Sequence, residues 1–236
     1  MAKIMNKHTV LVISDTQYPF AHKDSFAFLK AVVKKYKPTE FVHIGDEIDL
    51  HAMSNFDHDP DGYSAGHELT AALKDMRILY KMFPKMKVCT SNHTARPFRK
   101  AHKHGIPKAF LRDYHEFMEA PKGWAWADKW EIDGVIYEHG EGQSGMNGAI
   151  KAALGNMQST VIGHLHSFAG ILWSANPRHL IFGFNVGCLI DHRAYAFAYG
   201  KNFKNKPILG CGIVIKGIPV FIPMLLARNS RWVGSL

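Results

Sequence analysis

Five short apolar runs in this 236-residue chain end in side chains that bind metals. The run at 10–13 stops at Ser14-Asp15, and Gln17 follows two residues on. Positions i and i+2 of an extended chain point to the same side, so Asp15 and Gln17 offer two oxygens side by side. Later runs end at Gly45-Asp46-Glu47-Ile48-Asp49, Ser91-Asn92-His93, Glu138-His139-Gly140 and Gly163-His164-Leu165-His166. Each fragment alone has an ordinary reading: a Gly-Asp pair marks a turn, and a lone histidine is a surface or core residue. The conjunction, in order and always where an apolar run ends, points to a metal centre. Ligands in open α/β sheets gather at the carboxyl ends of strands. A sheet edge that collects these ends assembles Asp15, Gln17, Asp46, Asn92, His139, His164 and His166, with His93 alongside. Gly45 and Gly163 would let the backbone turn tightly around them.

The set resembles the calcineurin-like metallophosphoesterases, whose pattern runs Asp-x-His, Gly-Asp-x-x-Asp, Gly-Asn-His-Asp/Glu, His, then Gly-His-x-His. The match spans residues 15 to 166, and the compact chain looks like the small single-domain members found in bacteria and bacteriophages. It departs twice: Asp15-x-Gln17 replaces Asp-x-His, and Ser91-Asn92-His93-Thr94 replaces Gly-Asn-His-Glu. The resemblance implies an α/β fold, a two-sheet α/β/β/α sandwich, and two divalent metal ions as cofactors. It assigns Asp15, Gln17, Asp46 and His166 to one ion, and Asp46, Asn92, His139 and His164 to the other. The bridging carboxylate of Asp46 offsets the repulsion between the two cations. Such a pair activates water and stabilises the phosphoryl oxygens. His93 is implied as proton donor to the leaving alkoxide, and Asp49 as the residue orienting a histidine or water. An amide oxygen at Gln17 is harder than imidazole, so Mn²⁺ is the leading expectation, with Mg²⁺, Fe or Zn²⁺ as alternatives. The competing reading is that Gln17 has left the shell. Thr94 removes a carboxylate that could orient His93.

The stretch after His93, TARPFRKAHKHGIPKAFLR, interleaves cations with Phe98 and Phe110. Arg96, Arg99, Lys100 and Lys103 are its substrate-binding candidates, because bases mixed with aromatics suit a nucleic-acid backbone. A solvated helix face is the plainer reading. A second basic run lies at 199–207, and the loop at 51–67, with His51, Asp57, His58, Asp59 and Asp61, could be a specificity lid. The expected activity is hydrolysis of phosphodiester bonds in DNA or RNA. The alternatives are a phosphomonoesterase such as a protein phosphatase, and a degenerate fold that only binds nucleic acid.

The elements that must position these residues follow from periodicity. Residues 9–15, 40–46, 87–92 and 159–166 read as buried strands. Residues 24–37 and 68–83 read as helices, the first with Asp24 as N-cap, so the start is a βαβ unit with a parallel sheet. Residues 96–118 read as helix in two pieces broken at Gly105-Ile106-Pro107. Residues 129–140 form a hairpin turning at Asp133-Gly134, and 145–157 a further helix. Four runs after residue 169 read as antiparallel strands. The composition fits one domain: 47% of residues are apolar and 21% charged, too few charges and too much core for disorder. A net charge of +9 favours polyanionic partners. No apolar run reaches a membrane span. Three widely separated cysteines argue for a reducing compartment, the cytoplasm by default.

Overall fold

The computed structural model describes residues 7–54, 61–195 and 204–236. The first strand, β1 (Thr9–Ile13), is almost wholly buried, as its β-branched run requires. Helix α1 (Ser25–Tyr36) follows and returns the chain to β2 (Glu40–His43). Helix α2 (Ala65–Met82) leads to β3 (Met86–Cys89). Helix α3 (Arg96–Lys103) starts just past the His93 loop, and α4 (Tyr114–Phe117) is a single turn. Next come β4 (Trp124–Ala127), β5 (Lys129–Ile132), β6 (Val135–Glu138), helix α5 (Gly148–Asn156) and β7 (Thr160–Ile162). The chain closes with β8 (Gly170–Ala175), β9 (Leu180–Asn185), β10 (Gly210–Ile215) and β11 (Ile218–Pro223).

Two sheets result. One has the order β11-β10-β1-β2-β3-β4, the other β5-β6-β7-β9-β8. Val10, Val12, Val42, Ile44, Tyr137, Val161 and Phe184 fill the layer between them. Phe28, Leu29 and Val32 of α1 and Met76 and Leu79 of α2 pack on the outer face of the first sheet. Ala149 and Ala152 of α5 pack against Ile162 on the second. The architecture is therefore an α/β/β/α sandwich. At Gly183 a side chain would sit 2.3 Å from the Ala149 backbone, so glycine there lets α5 lie close on β9.

Strands β1, β2, β3 and β4 run parallel, as do β6, β7 and β9. The hairpin turns where the sequence says, with Asp133 and Gly134 both at positive φ (53° and 75°), the primed-turn geometry that Asp-Gly favours. Three readings are corrected. The last four strands form antiparallel pairs, but the pairs lie in different sheets and β9 runs parallel to β7. The sequence reading lacks β4, whose Trp-Ala alternation buries Trp124 beneath Tyr80 at a ring distance of 4.7 Å. Asp24 makes no side-chain cap on α1. Its carboxylate instead takes Arg231 Nε at 2.7 Å and the Trp232 amide at 3.0 Å, tying the C-terminal segment to the helix start. Among the described residues no helix is long and apolar enough to cross a membrane.

Candidate metal centre

All five expected strand ends meet. Asp15 and Gln17 follow β1, Asp46 follows β2, and Asn92 and His93 follow β3. His139 follows β6 and His164 and His166 follow β7, so each sheet supplies part of the set. Two groups of side chains are each able to hold a metal ion: Asp15, Asp46 and His166, and Asp46, His139 and His164. Within each, the ligand atoms lie within 4.8 Å of one another, and Asp46 belongs to both. Gln17 Nε2 lies 3.2 Å from His166 Nε2, and Asn92 Oδ1 lies 2.8 Å from His139 Nε2. The sequence-expected ligands are thus gathered without exception.

The local backbone is bent to bring them together. Asp15, Gln17, Asp46 and His164 all have positive φ, between 43° and 64°. A non-glycine residue held there costs on the order of 1–3 kcal/mol and is typical of functional sites. Gly45 has φ +98°, and a side chain on it would meet Ser91 Cβ at 2.5 Å. That space lets Ser91 Oγ accept the Asp46 amide at 2.8 Å. Gly163 serves closeness alone: a Cβ there would lie 1.8 Å from Ser14 Oγ and 2.5 Å from Asp15 Oδ2. The His164 amide then donates to Asp15 Oδ2 at 2.9 Å.

The donor set fits divalent cations. Gln17 Oε1 and Asp46 Oδ2 are buried and have no hydrogen-bond partner among the described residues. Such atoms are costly unless something positive meets them. His139 donates from Nδ1 to the Ile44 carbonyl at 2.9 Å, which fixes the ring with Nε2 3.4 Å from Asp46 Oδ2. Burial opposes the charge of Asp46, but the imidazoles of His139 and His93 outweigh it and hold its carboxyl well below the usual range. Asp15 is lowered likewise, against burial, chiefly by His166. Burial also opposes protonation of His139, yet Asp46 and Asp15 lift it to about 9, so a metal must displace a proton there. His164 is lowered by burial and by His139.

His93 stands beside the cluster. Its Nδ1 lies 2.7 Å from Asp49 Oδ1, and its Nε2 lies 3.8 Å from Asp46 Oδ2. Asp49 is thus the carboxylate on His93, and the missing acid at Thr94 leaves the histidine oriented all the same. Thr94 Oγ1 instead donates to Glu47 Oε2 at 2.8 Å, and Trp126 Nε1 donates to the other Glu47 oxygen at 2.7 Å. Burial raises the Glu47 carboxyl. His93 is raised, because Asp46 and Asp49 outweigh burial.

No protein-family model and no curated protein matches this chain. Among solved structures it is similar to a conserved uncharacterized protein of Streptococcus pneumoniae TIGR4, described as a predicted phosphoesterase. The identity is 15%, over 88% of this chain and 83% of that one, with a TM-score of 0.36. It is also similar to Vps29 of Chaetomium thermophilum, at 11% identity over 96% of this chain and 90% of that one, TM-score 0.46. Vps29 of Cryptosporidium parvum gives 13%, 90%, 94% and 0.41.

A cleft of about 450 Å³ opens beside Asn92, lined by Arg96, Arg99, Lys100 and Lys103 with Met53 and Ser54. All four cationic candidates therefore line the cleft that opens at Asn92. Arg96 does more than the sequence suggests: its Nη1 donates to Asp49 Oδ1 at 3.0 Å and its Nη2 lies 3.2 Å from His93 Nε2. The aromatics do not line the cleft. Phe98 turns to the opposite side of α3 and packs against Tyr114 at 5.0 Å, because its ring finds apolar neighbours there. Sequence reasoning also misses Glu68, which is buried on α2 and accepts the His51 and Ala52 amides at 2.7 and 2.9 Å. It fixes the wall carrying Met53 and Ser54. Its only sequence signal is a place in the first turn of α2. Of the loop at 51–67, residues 55–60 lie outside the described residues, as do 199–203 of the second basic run.

Proposed function

We propose that this chain is a metal-dependent phosphoesterase that hydrolyses phosphodiester bonds in DNA or RNA. The observation that carries the reading is the pair of metal-competent groups sharing Asp46, with the His93–Asp49 pair at their side. Asp15, Gln17, Asp46 and His166 would hold one divalent ion, and Asp46, Asn92, His139 and His164 the other. Bound there, two such ions supply an activated water and neutralise the charge on the phosphoryl oxygens. The remaining work falls to the chain. Asp49 accepts a hydrogen bond from Nδ1 of His93, which fixes the ring with Nε2 3.8 Å from Asp46 Oδ2. Asp46 and Asp49 favour the charged form of His93, whose Nε2 would then supply a proton to the leaving oxygen. Arg96 holds Asp49 from the far side and offers positive charge where a phosphate would enter.

The test is hydrolysis of bis-p-nitrophenyl phosphate, p-nitrophenyl phosphate and a labelled oligonucleotide, with Mn²⁺ and after chelation. Metal-dependent cleavage of the diester and the oligonucleotide is expected. Cleavage of the monoester alone would make this a phosphomonoesterase. With no cleavage of any of them the chain would be a nucleic-acid-binding protein.

A further inference from the structure

The cations along α3 have a direction. Arg96, Arg99, Lys100 and Lys103 are spaced i, i+3, i+4 and i+7, which puts them on one face of the helix. That face is the wall of the cleft beside the metal centre. From Arg96 to Lys103 the helix rises roughly 10 Å. Along a duplex axis the phosphates of one strand rise by about 3.4 Å each, so the wall covers about three such steps. Arg99 reaches Glu141 only at 3.5 Å and both are exposed. Among the described residues no carboxylate lies within ion-pair distance of Lys100 or Lys103. The aromatic rings lie on the other side of α3, so this wall suits a phosphate chain and offers bases nothing to stack on.

His93 fixes which end of the substrate lies there. Its Nε2 lies 3.8 Å from Asp46 Oδ2 and 3.2 Å from Arg96 Nη2. The proposed proton donor therefore neighbours both the carboxylate shared by the two metal-competent groups and the first cation of the wall. The oxygen that receives its proton must sit at Nε2, and whatever is attached to that oxygen continues toward α3. We infer that the α3 wall binds a phosphate on the departing part of the substrate, so the preferred substrate is a nucleic-acid strand whose leaving nucleoside carries the next phosphate. This rests on the phosphoesterase reading above. In the reaction the water oxygen bonds to phosphorus and the bond from phosphorus to the leaving oxygen breaks. That oxygen keeps the electron pair and takes the His93 proton, and the proton shed by the water restores His93.

The experiment uses thymidine dinucleotides bearing a terminal phosphate on one or the other thymidine, compared with the unphosphorylated dinucleotide and with bis-p-nitrophenyl phosphate. Chromatography of the products identifies which thymidine departs. One charge-assisted contact is worth enough to expect kcat/KM at least about tenfold higher when the extra phosphate is on the departing thymidine. An extra phosphate on the retained thymidine should give no such gain. In the Arg99→Gln/Lys100→Gln/Lys103→Gln variant the ratio should fall toward one. The chelator-treated wild-type protein should also bind the phosphorylated dinucleotide more tightly than the unphosphorylated one, and the variant should lose that difference. Cleavage of the bis-ester with no preference, or with preference for the retained side, would overturn the inference and leave the phosphoesterase reading intact. No cleavage of any ester would overturn both. Equal binding of the two dinucleotides by the chelated protein would by itself overturn the phosphate wall.

Discussion

At the residue scale, His93 and Gln17 carry the sharpest expectations. His93 is held through Nδ1 by Asp49 and has no place in either metal-competent group. Replacing it with alanine should lower turnover about 10²–10⁴-fold while metal content, read by atomic absorption, stays at the wild-type level. Loss of a metal in that variant would make His93 a ligand. Gln17 has a buried Oε1 with no hydrogen-bond partner among the described residues, while its Nε2 lies 3.2 Å from His166 Nε2. Gln17→His replaces that oxygen by imidazole and should tighten one site for zinc and other later transition metals. Calorimetric titration checks this: one class of site strengthens, and superimposable isotherms would place residue 17 outside the shell. The gathering of these residues was legible in the sequence because each ends an apolar run, and a run's end fixes a place on the sheet edge. The partners of His93 were only half legible. Asp49 stands in a recognisable motif, but its pairing with His93 depends on how the loop after Asp46 folds back. Nothing local announces that Glu47 meets Thr94 and Trp126, since those contacts cross 47 and 79 positions.

At the element scale, the loops after β1 and β7 are pressed together through Gly163. A methyl group there would overlap Ser14 Oγ and Asp15 Oδ2, and both belong to a buried strand end that cannot retreat. Gly163→Ala should therefore lower the melting temperature and weaken any metal binding at Asp15, while Gly155→Ala, with open space around its Cβ, should be neutral or stabilising. Differential scanning fluorimetry with metal analysis separates the two outcomes. Strand and helix types were readable from periodicity, as β1, α1 and the Asp133-Gly134 hairpin attest. Sheet membership was not: β8–β9 and β10–β11 look alike as apolar pairs. What sorts them is long-range pairing, β10 with β1 and β9 with β7. The second half of 96–118 also reads as more helical than it is. After Gly105 it contains only a 3-10 turn and the single turn of α4, because its apolar side chains fill a local aromatic cluster and not a long stripe.

At the scale of the whole molecule, acid should loosen the sandwich through a histidine outside the ligand set. His43 is fully buried at the end of β2, with Nε2 3.2 Å from Thr16 Oγ1, and burial lowers its pKa to about 4. Unfolded, it titrates near the ordinary 6.5. Between those values the unfolded chain binds a proton that the native chain does not, so stability falls as pH drops from 6.5 toward 4. The slope from this group is about 1.4 kcal/mol per pH unit. Urea melts of the chelated protein should show it, and His43→Gln should flatten the slope in that window. A slope equal in both proteins would assign the acid sensitivity elsewhere. Asp24 acts lower on the scale: Arg231 first of all holds its carboxyl below the usual range, so its tie to the C-terminal segment persists until pH falls well under 3.8.

The proposed ligand set is divided between two sheets that share no strand. Asp15, Gln17, Asp46 and Asn92 come from one, His139, His164 and His166 from the other. A cation seated among them is a rivet through the sandwich, and it grips only while the two halves stay face to face. Occupancy then draws the folding equilibrium by mass action, by about 2.7 kcal/mol for one site at a hundred times its dissociation constant. The melting temperature should climb with free Mn²⁺ and drop on chelation, and Asp46→Asn should blunt both responses. Heat tolerance thus becomes a gauge of metal supply, readable on a protein whose substrate has never been added.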